Sequence, residues 1–166
     1  MPREEQGVSK DRYMIIPRTL IFIRCGESFL LIKGAAHKRL WANKYNGVGG
    51  HVERGEDILA AAQRELLEET GLSVEISLYG VVTVNPGEDV GIGIFVFSGE
   101  YTHGEIKSSR EGNLEWVKIK DLDSRPLVED VLLFLNRIIK MNAGDLPFFA
   151  HSSYDSENKL VINFRD

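Results

Sequence analysis

Glu65, Glu68 and Glu69 stand at i, i+3 and i+4 in the run Arg64-Glu65-Leu66-Leu67-Glu68-Glu69-Thr70-Gly71-Leu72. On a helix, steps of about 100° per residue place these three carboxylates on one side. At about 4 Å two unit charges repel by about 4 kcal/mol at an effective dielectric near 20, so such a cluster beside a core is costly until cations fill it. Oxygen ligands without accompanying His or Cys suit Mg²⁺, Mn²⁺ or Ca²⁺ rather than zinc, and Mg²⁺ commonly takes a few carboxylates while substrate phosphates complete its shell. The competing reading is an ordinary solvated face. Glu favours helices, and Arg64 lies i+4 from Glu68, the spacing of a surface ion pair.

The elements that must position these groups follow from local signals. Asp57 is a good N-cap, residues Ile58 to Thr70 contain no Gly or Pro, and Gly71 is a natural stop, so a helix is predicted over Ile58 to Thr70. Leu59, Ala62 and Leu66 recur at helical spacing and are predicted to form its core stripe. Ahead of the helix, Gly50-His51-Val52-Glu53-Arg54-Gly55-Glu56 reads as a glycine-rich loop. A glycine-rich loop followed by an acidic helix points to a site for divalent metal and phosphate.

Taken together, these residues spell G-x5-E-x7-R-E-U-x-E-E-x-G-U, where U is aliphatic. Gly50, Glu56, Arg64, Glu65, Leu66, Glu68, Glu69, Gly71 and Leu72 occupy every fixed position. The pattern resembles the signature of the Nudix (MutT-type) hydrolases, and so many fixed identities make it far more specific than a lone glycine motif. The resemblance implies an α/β fold, a Nudix-type α/β/α sandwich with a mixed β-sheet and a catalytic loop-helix-loop. It also implies cleavage of a nucleoside diphosphate linked to another moiety. By the family pattern Glu65, Glu68 and Glu69 would coordinate Mg²⁺ or Mn²⁺, with Glu56 at the edge of the metal site and the Gly49 carbonyl as a further ligand. Arg64 would orient a carboxylate, and one of Glu65, Glu69 or Glu111 would deprotonate the attacking water. Bridging metals let anionic phosphate oxygens approach carboxylates while activating water for attack on phosphorus.

The remainder of the chain suits one enzyme domain. The chain has 166 residues, 43% of them hydrophobic and 27% charged, which suffices for a single core but is short for two. Residues 1–12 are expected to be a loose tail and 13–166 one Nudix domain. A net charge of −5 argues against a broad nucleic-acid surface. No stretch approaches the roughly 20 apolar residues of a membrane helix, and the region from Met1 to Asp11 lacks the apolar core of a signal peptide. Cys25 is the only cysteine, which suits a reducing cytoplasm, and it reads as a small hydrophobe inside a strand. The expected partner is a small nucleotide, with no nucleic-acid polymer and no membrane, and the chain is expected to be a monomer or homodimer.

The runs Leu20 to Cys25 and Ser28 to Lys33 read as two strands joined at Gly26-Glu27 in a tight hairpin, with mostly loop from Gly34 to Asn46. Further strands are predicted over Val74 to Val84, Ile92 to Ser98 and Leu114 to Lys118, with a turn at Asn85-Pro86-Gly87. A helix over Val128 to Met141 would turn Val131, Leu135 and Ile138 inward, and a terminal hairpin would run from Phe148-Phe149-Ala150 to Leu160-Val161-Ile162.

Substrate choice rests on residues outside the box. Lys44-Tyr45-Asn46-Gly47-Val48-Gly49-Gly50 resembles the W-N-G-F-G-G run of the purine nucleoside triphosphate branch, whose Asn contacts base or sugar. Asn46 is therefore a substrate contact or, equally, a turn residue before Gly47. His51 stands where that branch often carries Lys at a phosphate contact. Pro126-Leu127-Val128-Glu129-Asp130 resembles the region where oxidised-purine hydrolases carry paired acids. One protonated and one ionised carboxyl can offer a purine edge both a donor and an acceptor. Leu127 replaces a stacking Trp there, and Glu129 and Asp130 also suit the dipole at a helix start. Glu111 aligns loosely with a loop Glu of MutT-like enzymes. Trp116 reads as core, and Phe148 and Phe149 as either a pocket rim or strand packing. The predicted activity is Mg²⁺-dependent hydrolysis of a nucleoside triphosphate, 8-oxo-dGTP or another purine among them, to monophosphate and pyrophosphate. Pro86, one residue short of a position characteristic of ADP-ribose pyrophosphatases, marks the alternative. A catalytically silent nucleotide-binding domain is the third reading.

Overall fold

The computed structural model describes every residue except 1, 3, 4, 8, 10, 37–40, 109, 110, 143 and 166. Parts of the predicted tail and of the predicted 34–46 loop therefore lie outside the described residues. Eight strands form one sheet: β1 Met14–Cys25, β2 Ser28–Gly34, β3 Tyr45–Asn46, β4 Ser77–Val84, β5 Val90–Glu100, β6 Gly112–Lys118, β7 Phe148–Tyr154 and β8 Leu160–Arg165. Their order is β3-β2-β1-β5-β4-β7-β8, with β6 also paired to β2. The sheet is mixed, because β1 with β5 and β4 with β7 run parallel and the other pairs are antiparallel. The helices are α1 Ile58–Thr70 and α2 Val131–Ile138, and a 3-10 turn spans Ile119–Ser124.

Strand alternation sorts the core into two layers. Ile21 and Ile23 of β1 pack with Leu30, Phe97 and the α1 residues Ala62 and Leu66. Leu20 and Phe22 face the other way, into a cluster with Val82, Val96 and the α2 residues Val131, Phe134, Leu135 and Ile138. Each helix therefore covers one face, and the architecture is the expected α/β/α sandwich.

α1 begins and ends as predicted. The Asp57 carboxylate accepts from the Ala60 N–H at 2.9 Å, and Gly71 closes the helix at φ 76, donating its N–H to the Leu67 carbonyl. Its buried stripe is rotated from the expected one. Leu59 is 42% exposed, whereas Ala61, Ala62, Leu66, Glu69 and Thr70 are buried. The rotation carries Glu69 to the inner side of the helix.

Other boundaries shift for tertiary reasons. β1 starts before Leu20 because β5 supports it in parallel register from Met14 to Arg24. β4 starts at Ser77 rather than Val74. The second helix starts at Val131 rather than Val128, since the Tyr45 N–H donates to the Pro126 carbonyl and the Val128 N–H to the Tyr45 carbonyl. Cys25 is exposed at the end of β1, not buried within it. Phe148 is buried against Phe134 and Phe164, and Phe149 is 55% exposed. Among the described residues, no helix is long and apolar enough to cross a membrane.

Candidate active site

Where β2 turns away, the glycine-rich run takes over the edge of β1. The Ile21 and Thr19 N–H groups donate to the carbonyls of Val48 and Gly50 at 2.7 and 2.9 Å, and the Val52 N–H donates to the Pro17 carbonyl at 3.2 Å. Gly49 alternates with Val48 and Gly50 and gives its N–H to the buried Glu69 Oε2 at 3.0 Å. Only glycine suits that position, because its φ is 146 and a Cβ there would lie 2.2 Å from the Thr19 carbonyl oxygen. At Gly50 a Cβ would lie 2.3 Å from Glu65 Oε1, so loop backbone and helix carboxylate are in direct apposition.

Arg64 gathers the outer carboxylates. It donates to both Glu56 oxygens, Nη2 to Oε1 at 2.8 Å and Nε to Oε2 at 3.1 Å, in a fork-to-fork pair. Nη1 donates to Glu65 Oε1 at 2.8 Å and to Glu68 Oε2 at 3.4 Å, and Nη2 to the His51 carbonyl at 3.1 Å. The Arg64 guanidinium, with help from the Glu53 N–H, holds the Glu56 carboxyl below its usual range. In return, Glu56 and then Glu65 keep Arg64 firmly charged. The expected surface pair with Glu68 exists, yet it is the longest of these contacts and involves a Glu68 side chain that is 60% exposed.

A cavity of about 880 Å³ opens beside this cluster, within the range of roughly 300 to 1,000 Å³ usual for ligand sites. Glu65, Glu68, Glu69, Gly49 and His51 line one part of it, together with Glu111. Asn46, Glu129 and Asp130 line it as well, while Glu56, Arg64 and Leu127 do not. Among the described residues no three His, Cys, Asp or Glu side chains are gathered as a finished metal cage. The donor set nevertheless fits a hard divalent cation. It is dominated by carboxylates, at least one of them buried, with no thiolate and with the exposed His51 imidazole on the same lining, and it opens on a cavity where substrate oxygens can complete the shell.

The acidic pair Glu129 and Asp130 stands between the cavity and the start of α2. Asp130 precedes α2 with helical dihedrals, φ −89 and ψ −20, and its side chain makes no capping hydrogen bond. Burial, and secondarily the neighbouring Glu129 charge, raise the Asp130 carboxyl above its usual range. The Asn46 Oδ1 accepts from the Gly47 N–H at 2.8 Å, so this side chain both shapes the turn and lines the cavity. At Asn85-Pro86-Gly87 the Gly87 N–H donates to Asn85 Oδ1 at 2.9 Å; Pro86 serves a turn and does not line the cavity.

Several lining residues were not singled out from the sequence. Trp41 is 45% exposed at φ 58 and lines the cavity from the loop before β3, as Lys44 does. Ser152, Tyr154, Asn158 and Leu160 line it from the β7–β8 hairpin. Arg18 lies on β1, in the half that the sequence reading leaves unassigned. Its parity with Leu20 and Phe22 was the available signal.

Gly50→Ala offers a local check on the loop-to-helix apposition. The obstructing atoms are the mobile end of Glu65, so the fold is expected to survive with a nearly unchanged Tm while the carboxylate is displaced. Turnover is expected to fall about a hundredfold, as for a misplacement of about 1 Å. Full activity in this variant would show that the Glu65 position is immaterial.

The NUDIX domain family model matches residues 14–136. The chain belongs to the Nudix family and is a Nudix hydrolase, a class of enzyme that generally uses divalent metals. It is 32% identical over 115 residues to the oxidized purine nucleoside triphosphate hydrolase of Mus musculus, covering 68% of this chain and 72% of the mouse protein. It is 35% identical over 147 residues to the NAD-capped RNA hydrolase NudC of Pectobacterium carotovorum, covering 81% of this chain but 54% of that longer protein. Among solved structures, the MutT protein of Bacillus halodurans superposes with a TM-score of 0.74 at 24% identity, covering 91% of this chain and 97% of the other. That likeness speaks to the fold. The β7–β8 hairpin lies beyond the family match yet helps to line the cavity.

Proposed function

We infer that this chain hydrolyses purine nucleoside triphosphates, oxidised dGTP among them, to the monophosphate and pyrophosphate with the help of Mg²⁺ or Mn²⁺. The observation that carries the reading is one cavity lined both by the box carboxylates and by a polar set suited to a purine, namely Asn46, Glu129 and Asp130. The mouse relative is named for oxidised purine triphosphates, which supports the same substrate class.

Glu65, Glu68 and Glu69 would hold the metal, with the Gly49 carbonyl beside them and Glu56 at the edge. A divalent cation supplies charge neutralisation of phosphate oxygens and acidification of water. Arg64 is a positioning residue, fixing Glu65 and Glu56 and leaving substrate to other groups. One of Glu65, Glu69 or Glu111 takes the proton of the attacking water. Asp130, with its raised carboxyl, donates to the purine edge while Glu129 accepts. Trp41 supplies an aromatic face that Leu127 lacks. The exposed thiol of Cys25 suits a reducing compartment such as the cytoplasm.

The NudC relative favours a second reading, cleavage of a dinucleotide or other nucleoside diphosphate derivative. The two are separated by incubating the protein with Mg²⁺ and dGTP, 8-oxo-dGTP, pyrimidine triphosphates and ADP-ribose and identifying products. Monophosphate with pyrophosphate from the purine triphosphates is expected. AMP with ribose 5-phosphate as the main product would support the second reading.

The pH dependence tests base reading. A protonated Asp130 is the donor, so purine turnover is expected to fall as pH rises through its raised value, whereas pyrimidine turnover should lack this limb. Asp130→Asn fixes donor and acceptor in place. It should abolish the limb, and Asp130→Ala, which removes the donor, should lower purine turnover about tenfold, the worth of one hydrogen bond. Equal losses on purine and pyrimidine substrates would remove Asp130 from recognition.

A further inference from the structure

Part of the cavity floor is a single face of the sheet, and one residue on it is out of character. Register places Arg18 opposite Ile94 and Ile16 opposite Ile92 across β1 and β5. Val84 of β4 stands opposite Ile92 in β5 and opposite Ser152 in β7. Leu20, Val84, Ile92 and Ile94 on this face are apolar and line the cavity, and Arg18 lines it among them. Long cationic side chains often lay their stems on apolar surface and leave the head in water. That habit does not account for Arg18, because its Nε is buried and has no hydrogen-bond partner among the described residues. A buried donor left unpaired is costly, and costlier on a charged group. A ligand oxygen cannot reach that closed-off Nε as it stands, so it is the guanidinium end of this cavity-lining side chain that is expected to take an acceptor from whatever fills the cavity.

Position decides which part of that molecule it meets. Arg18 shares its strand face with Leu20, the face covered by α2, and Glu129 and Asp130 lie just ahead of that helix. Glu65 and Glu69 rise from α1, which covers the opposite face. Its strand face sets Arg18 on the α2 side with Glu129 and Asp130, while its backbone partner at the β1 edge is His51, so a phosphate contact is the competing role that the assay must separate. An Arg fork donating to a purine carbonyl is a well-matched geometry, and it has nothing to offer an amino group.

We propose that Arg18 reads position six of the purine, donating to the carbonyl oxygen of a 6-oxopurine and rejecting a 6-aminopurine. This deepens the purine reading above and rests on it for the triphosphate assay. Binding of the monophosphates tests it without turnover.

The experiment measures GMP, IMP and AMP binding by calorimetry, and dGTP, dITP and dATP turnover, in the native chain, Arg18→Met and Arg18→Gln. The native chain should bind GMP and IMP at least about tenfold more tightly than AMP. IMP lacks the 2-amino group, so its preference isolates position six. Arg18→Met should erase the preference through weaker GMP and IMP binding, leaving AMP unchanged or tighter. Its Tm should not fall, because an unpaired buried donor has been removed. Arg18→Gln, which keeps a donor, should retain part of the preference. In turnover the Met variant should show a raised KM for dGTP and dITP with kcat little changed. Equal weakening of all three monophosphates would mean a phosphate or purely structural role and would overturn the proposal, as would tighter native binding of AMP than of GMP. If ADP-ribose proves to be the substrate, the triphosphate reading fails, and the GMP-to-AMP ratio still decides the role of Arg18.

Discussion

Glu69→Gln is expected to lower kcat by roughly 10² to 10⁴, the range for loss of a group that moves a proton or holds the reacting centre. The loss comes without unfolding. Glu69 is buried at the inner side of α1, and a glutamine oxygen can still accept from the Gly49 N–H as Oε2 does now. Neutralising one member of a cluster of like charges relieves repulsion, so without metal the variant should melt no lower than the native chain. The discriminating readout is Mg²⁺ itself. A cation that binds only the folded chain raises Tm with concentration, and this rise should be strongly reduced in Glu69→Gln. A variant with native kcat and an undiminished Mg²⁺ effect would return the acidic helix to an ordinary solvated face.

Arg64→Lys is expected to cost about a hundredfold in kcat despite keeping the charge, with Arg64→Ala worse. The guanidinium uses its fork on Glu56 and reaches Glu65, Glu68 and the His51 carbonyl with the same group. A lysine ammonium is a point donor and cannot span these partners. Loss of Arg64 leaves Glu56, Glu65 and Glu68 without their shared counterion, so Tm should fall as well. The acid side carries a further sign. Glu56 has a depressed carboxyl, so its stabilisation is fully present above its unfolded value of 4.5 and is lost as pH falls through its folded value. Arg64→Ala should remove that acid-side loss along with the stabilisation. If Arg64→Lys keeps native kcat and stability, the fork geometry is irrelevant and Arg64 is only a surface cation.

Legibility followed the range of the interactions involved. α1 could be read to the residue because Asp57 and Gly71 act through hydrogen bonds to Ala60 and Leu67, all within a few positions. Its buried face was misjudged at Leu59, since the position of β1 and of the Gly49 loop, rather than helix periodicity, turns Glu69 inward. The first half of β1 depends on β5, far away in sequence, and so Arg18 escaped notice. The late start of α2 depends on Tyr45 holding Pro126 and Val128. That same pairing brings Glu129 and Asp130 to the cavity that Asn46 lines. Box residues lie close in sequence and could be grouped by motif. The rest of the cavity lining is assembled from β1, β4, β5, the loop before β3 and the terminal hairpin, and no local pattern links those segments.

The box carboxylates and Asn46, Glu129 and Asp130 are proposed to serve one purine triphosphate in one cavity. A competition assay tests this proposal most directly: equimolar 8-oxo-dGTP and ADP-ribose in one tube with Mg²⁺ and limiting enzyme, products separated over time. The ratio of initial rates is the ratio of kcat/KM. 8-oxo-dGMP and pyrophosphate should accumulate first, with ADP-ribose consumed only afterwards. Early AMP and ribose 5-phosphate, with 8-oxo-dGTP left intact, would contradict it.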